Sequence, residues 1–289
     1  MKIIDIDQWQ AMGSEFRFNN HRIFYIDTKA PNKAALLLLH GFPTSSWDWH
    51  QLWPKLSTRY RLITLDLLGY GFSSKPVKYD YSFFEQADIV ESLLEHCDID
   101  EVQLLAHDYG DTVAQELLAR DIADKKIRYT SNILLNGGII FDAIQLSTIQ
   151  KLLLSPFGPL VAKLMSYSKF KKQFSQICYV PRPEQELEFY WQQINLNNGR
   201  AVIPKLVNYI QERRQYQRRW VSAMEKHPSP LLFINGIEDP ISGKKMVDSF
   251  SSRVPSKKVV ELKEVGHYPQ VEAPSQVLSI MENFWNGQN

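Results

Sequence analysis

Six short, uninterrupted apolar runs, at 34–41, 60–66, 102–108, 133–137, 231–239 and 258–267, constrain the fold of this chain more than any other feature. Most of them end in Gly or Asp. Apolarity without alternation is the pattern of strands buried on both faces, as in a parallel sheet covered by helices. Helix-like segments separate the runs. One covers 82–96, with Ser82 and Glu85 spaced as a capping box; others cover 112–120 and the amphipathic stretch 275–285. Strand and helix in alternation predict an α/β fold.

The alternation stops between 141 and 227. This stretch has helical composition, no strand-type run, and 13 Lys and Arg against 6 Asp and Glu, a net +7. The rest of the chain carries 20 against 26, a net −6. An inserted helical lid (141–227) on an α/β body (1–140 and 228–289) is the expected organisation. A basic face near the lid would favour anionic substrates or an anionic membrane surface. The plainer expectation for the run 212–219, ERRQYQRR, is a solvated helix face.

With 289 residues and 44% apolar content, the chain can bury a sizeable core and is no disordered, collagen-like or coiled-coil protein. Its 33 Lys and Arg nearly balance 32 Asp and Glu, so no nucleic acid partner is expected. Cys97 and Cys178 are too few for a disulfide framework and wrongly spaced for a metal site. A reducing, cytoplasmic location is therefore expected, with no metal and no cofactor. The opening MKIIDIDQWQAMG does not read as a signal peptide. The longest apolar stretch, 152–165, is broken by Pro156, Gly158, Pro159 and Lys163, so no segment is expected to span a membrane. Peripheral membrane contact through that stretch and an apolar lid face turned to a pocket both explain it.

The chemistry gathers at three turns. Residues 104–117, LLAHDYGDTVAQEL, read as a strand that turns sharply into a helix at Asp108, with the small residues Ala106 and Gly110 two positions to either side. That is the pattern of a nucleophile elbow; the alternative is an Asp that merely caps a helix. Asp239 ends the run LLFINGIED, and His267 sits in the turn Gly266-His267-Tyr268-Pro269. Nucleophile, acid, histidine is the chain order of the α/β-hydrolase triad, and each residue follows a predicted strand. Glu238 and Asp142 compete with Asp239 for the acid's place. The turn His40-Gly41-Phe42-Pro43 would supply one oxyanion N–H from Phe42, with the other from Tyr109. His40 is expected to order that turn. A carboxylate at the elbow favours displacement at saturated carbon over acyl transfer, giving an alkyl ester that His267, oriented by Asp239, hydrolyses with water.

The segments HGFPTSSWDW (40–49), DLLGYGFSSKP (66–76), HDYGDTVAQELL (107–118) and GHYPQVEAP (266–274) resemble the epoxide hydrolase and haloalkane dehalogenase branch of the α/β-hydrolases, and within it the mesoderm-specific transcript group. The resemblance implies an α/β-hydrolase fold, Asp108 as nucleophile, His267 as base, Asp239 as charge partner, and Phe42 and Tyr109 at the oxyanion positions. It departs from the dehalogenases, whose halide-holding Trp and Asn donors are replaced by Tyr109 and Phe42. Epoxide hydrolases use lid tyrosines as acids; Tyr209 stands near the expected place, with Tyr190 and Tyr167 as further candidates, and packing is the alternative role for each. Epoxide hydrolysis of a small apolar or amphiphilic substrate is the leading expectation. Dehalogenation, ester or lactone hydrolysis with Asp108 as general base, and a ligand-binding homologue without turnover are the alternatives.

Overall fold

A computed structural model describes residues 4–124 and 126–287. Eight strands form one sheet: β1 (Ser14–Phe18), β2 (His21–Asp27), β3 (Ala35–Leu39), β4 (Arg61–Leu65), β5 (Glu101–His107), β6 (Arg128–Leu135), β7 (Leu231–Gly236) and β8 (Lys258–Leu262). Their spatial order is β1-β2-β4-β3-β5-β6-β7-β8. Strands β3 to β8 run parallel, and β1, β2 and β4 pair antiparallel. Leu36 to Leu39 of β3 are wholly buried, as a strand covered on both faces must be. Each of the six apolar runs overlaps a parallel strand, although β6 begins at Arg128, five residues before its run.

The hairpin β1–β2 was not legible as strand. Its sequence, SEFRF then HRIFYID, is rich in charge because β1 is an edge strand and buries only Phe16. Asn19, at φ 51°, makes the turn between them. Helix Phe83–His96 starts where expected, and the Ser82 hydroxyl accepts from the Phe84 N–H. The expected capping box does not form. Glu85 instead accepts from the Tyr79 hydroxyl, and Glu212 takes the Phe83 N–H.

Strand order places the site. The chain leaves β3 for β4 on one side and returns to β5 on the other, so the loops after β3 and β5 part at their carboxyl ends. Open α/β sheets form their crevices at such a point. Helix Tyr109–Ala123 follows β5 directly and is buried from Tyr109 through Ala119, packed on the sheet and against helices Phe83–His96 and Tyr209–Lys226. Between β6 and β7 the described chain forms helices joined by turns and no strand, with helices Thr148–Leu153, Gly158–Lys163, Tyr167–Ile177, Glu184–Asn195, Ile203–Leu206 and Tyr209–Lys226.

Candidate active site

Asp108 stands between β5 and helix Tyr109–Ala123 at φ 46° and ψ −100°. This conformation is strained for a residue with a side chain, at a cost on the order of 1–3 kcal/mol. Neighbouring strands hold it there. The Asp108 N–H donates to the Leu135 carbonyl at 3.2 Å, and the Gly110 N–H to the His40 carbonyl at 3.0 Å. A Cβ on Gly110 would stand 2.4 Å from the Leu39 carbonyl oxygen, and one on Gly41 would stand 2.6 Å from His107 Nδ1. The elbow can therefore approach β3 closely only because both positions lack a side chain.

The structure brings the three expected residues together. His267 Nδ1 lies 2.7 Å from Asp239 Oδ2, and His267 Nε2 lies 3.9 Å from Asp108 Oδ2. Asp239 is further held by Asn136 Nδ2 at 3.0 Å, the Ser242 hydroxyl at 2.6 Å and the Ile241 N–H at 2.8 Å. Neither rival acid reaches His267. Asp142 is exposed and pairs with Arg253 at 2.8 Å, and the backbone of Glu238 bonds Val265. The Phe42 N–H donates to Asp108 Oδ2 at 3.1 Å. The Tyr109 N–H opens its helix and meets no acceptor among the described residues. His40 lies at the turn with both ring nitrogens engaged: Nδ1 is 2.9 Å from the Gly41 carbonyl, and Nε2 accepts from the Leu67 N–H at 3.1 Å.

Arg213 is the residue the sequence reading missed. It lies in helix Tyr209–Lys226, inside the run expected to face water, yet it is buried. Its Nη2 donates to the Asp108 carbonyl at 2.8 Å and stands 3.4 Å from Asp108 Oδ1, while Nε donates to the Thr112 hydroxyl at 2.8 Å. The guanidinium also covers the Tyr209 ring, 4.6 Å from its centre. Helical spacing carried the signal. Tyr209, Arg213, Trp220 and Met224 share the inward face, whereas Arg214 and Arg218 are exposed as expected.

The charges form an alternating chain from Arg213 through Asp108 and His267 to Asp239. Burial opposes ionisation of Asp108, but the neighbouring His267 and the charge of Arg213 outweigh it and hold the carboxyl well below its usual range. For His267, burial disfavours the cation, while Asp239 and Asp108 favour it more and raise the imidazole to about 10. Both carboxylates thus favour the imidazolium form of His267. A group whose folded pKa is raised stabilises the fold fully below its unfolded value, about 6.5, and loses that contribution as pH climbs through about 10. The stability advantage of the natural chain over His267→Gln should therefore shrink between those two values. Urea midpoints at several pH values would measure it, and a gap that stays constant would refute the protonated resting state.

Asp108 and His267 open onto a cavity of about 240 Å³. Its wall is mostly apolar, with Leu153, Phe170 and Ile194 among the contributors, and its polar side chains include Gln150, Gln173 and Gln176 from the helices between β6 and β7. Tyrosine is absent from the lining residues. The Tyr209 hydroxyl sits behind the wall and accepts from Gln150 Nε2 at 3.3 Å. Tyr190 is buried among Trp47, Phe174 and Tyr268, and Tyr167 donates to Glu184 at 2.6 Å. The Tyr109 ring packs into Tyr70 and Phe83. Among the described residues no cluster of His, Cys, Asp and Glu could hold a metal ion, and both cysteines are free and buried.

A strained elbow, a histidine and an acid on the ends of β5, β8 and β7 define an α/β-hydrolase site, here with a carboxylate at the elbow. The chain belongs to the α/β-hydrolase fold family, whose model matches residues 34–274. It is 39% identical to the mesoderm-specific transcript protein of Mus musculus, over 97% of this chain and 88% of that protein. In structure it is similar to a loop variant of the haloalkane dehalogenase DbeA from Bradyrhizobium elkanii, at TM-score 0.79, 20% identity, and 95% and 96% coverage of the two chains. The epoxide hydrolase CorEH gives TM-score 0.77 at 19% identity, covering 96% and 99%. At those identities the two structures speak for the fold alone.

Proposed function

We propose that this protein is a cofactor-independent hydrolase that reacts through a covalent ester on Asp108, with epoxides as its substrate class and residues 141–227 as the cap over the site. The observation that carries this reading is a carboxylate at the elbow, 3.1 Å from the Phe42 N–H and 3.9 Å from a histidine seated on Asp239. Its own oxygen already occupies the oxyanion position. A substrate ester would have to displace Asp108 from that N–H, whereas an ester formed on Asp108 would keep its carbonyl oxygen there.

An Asp108 oxygen attacks a ring carbon; the new C–O bond forms as the ring C–O bond breaks, and the pair goes to the ring oxygen, which takes a proton. Tyr209 is the cap phenol assigned to that proton, reached through movement of Gln150. The ester has no charge. His267 then faces one carboxylate instead of two, its affinity for the proton falls, and that proton passes through solvent to the phenolate left on Tyr209. The neutral Nε2 then takes a proton from water attacking the ester carbon and later gives it to the departing alkoxide. The N–H groups of Phe42 and Tyr109 hold the resulting oxyanion. Protonation of the resting base and its release on alkylation place general-base power at the step that needs it.

One observation favours a second reading, dehalogenation: the cavity wall carries glutamine amides and no tyrosine. A departing halide needs hydrogen-bond donors but no proton. Both readings share the Asp108 ester, and a single turnover in ¹⁸O-water tests it. Hydrolysis of an Asp108 ester leaves the label in the Asp108 carboxylate and an unlabelled product. Label in the product after one turnover would instead mean direct attack by water, and would sink the proposal.

A further inference from the structure

The burial of residues 152–164 is inverted. A surface helix normally turns its large apolar side chains inward. In helix Gly158–Lys163 the buried residues are Gly158 and Ala162, turned to the segments Leu196–Ala201 and Ile203–Leu206. Leu160 is 54% exposed, Phe157 68%, Leu164 59%, and Leu152 on the preceding helix 45%. These side chains do not line the cavity. The sequence left open whether this stretch faced a pocket or the outside; its large side chains point outside, while Ile149, Leu153 and Met165 of the same segment face the cavity.

Along this part of the chain the charge is of one sign. The 41 residues between Asp142 and Glu184 contain no acid and six cations, Lys151, Lys163, Lys169, Lys171, Lys172 and Arg182. Lys151 and Lys163 are exposed beside the apolar residues and form no ion pair among the described residues. Large apolar side chains rimmed by lysine, on a protein whose described residues include no helix able to cross a membrane, fit a surface that is apolar within and anionic at its face.

We propose that the segment 148–165 docks the protein on an anionic lipid surface. Phe157, Leu160 and Leu164 enter the boundary between headgroups and acyl chains, and Lys151 and Lys163 meet lipid phosphates. The outer side of the segment then touches lipid while its inner side walls the cavity, which offers an amphiphile a short path from one to the other. The docking does not depend on the chemistry at Asp108.

Flotation with phosphatidylcholine vesicles, with and without phosphatidylglycerol, tests this on the full chain. At low salt the protein should partition onto the anionic vesicles at least about tenfold more strongly than onto the neutral ones, and lose that preference as salt screens it. The pair Phe157→Ser and Leu160→Ser should lower partitioning by about tenfold or more. The pair Lys151→Glu and Lys163→Glu should remove the preference for anionic lipid. All four positions are exposed, so melting curves should match the natural chain and show both variants folded. Three results would overturn the proposal: no binding to anionic vesicles, binding that ignores lipid charge, or binding that both pairs leave unchanged. So would a dimer in sedimentation that Leu160→Ser disperses while vesicles bind nothing, which would make the patch an interface between two copies.

Discussion

Exchange of His267 for Gln is expected to leave the first chemical step intact and stop the second. Incubated with a panel of small epoxides, the variant should gain the mass of one substrate, located on the peptide that contains Asp108. Its steady-state turnover should fall by about 10²–10⁴, the usual worth of a general base. The variant should fold, because Asp239 keeps Asn136, Ser242 and the Ile241 N–H as donors. Alkylation itself needs no base, since the carboxylate of Asp108 is ionised before substrate arrives. With a second panel of haloalkanes, an adduct that has lost its halogen would move the assignment to dehalogenation. A folded variant that stays unmodified by either panel would remove the covalent mechanism.

Arg213→Met should rank next in effect, and on two readouts at once. Three acceptors lose their donor in a buried site: the Asp108 carbonyl, its Oδ1 and the Thr112 hydroxyl. Breaking a buried ion pair from one side costs on the order of 3–5 kcal/mol, because the remaining charge is left without its partner. Urea denaturation should show a loss of that size. The second readout separates electrostatics from packing. With the guanidinium gone, Asp108 titrates at higher pH, so the acid limb of the kcat/KM profile should move upward. Arg213→Lys should restore part of the pH position but little of the stability, since an ammonium cannot reproduce the planar fork on two residues. A stable Arg213→Met protein with an unmoved acid limb would show that Arg213 is only a packing residue.

What could be read without the structure followed from continuity of apolar residues. The central strands β3 to β7 are legible because burial on both faces favours continuous apolar residues, and the edge strand β8 through its Val259-Val260 pair although Lys258 and Glu261 are exposed; the turn chemistry sits at their ends. Asp108, Asp239 and His267 could be named because each follows such a strand. The hairpin β1–β2 was not legible, because one face of an antiparallel edge strand tolerates charge. Arg213 was hidden for a related reason. Four arginines within 212–219 look like one solvated face until helical phase is assigned, and only then does one of them fall inward with Tyr209 and Trp220. Glu85 had the right spacing for a capping box but lies within reach of Tyr79, a contact that local spacing cannot reveal.

The His267 N–H donates to the carbonyl of Ile177, and the carboxylate of Glu272 takes N–H groups from both Gly266 and Tyr179. Arg213 reaches Asp108 from the opposite end of the same insert. Asp108 and His267 thus both lean on the segment that walls the cavity. Any displacement of the insert would therefore loosen the hydrogen bonds that hold Asp108 and His267 in register. The same dependence bounds what protein engineers can exchange. A cap transplanted from a relative would carry over a new pocket, but without an equivalent of Arg213 and of the Ile177 carbonyl it would arrive without half of the scaffolding that aims the chemistry.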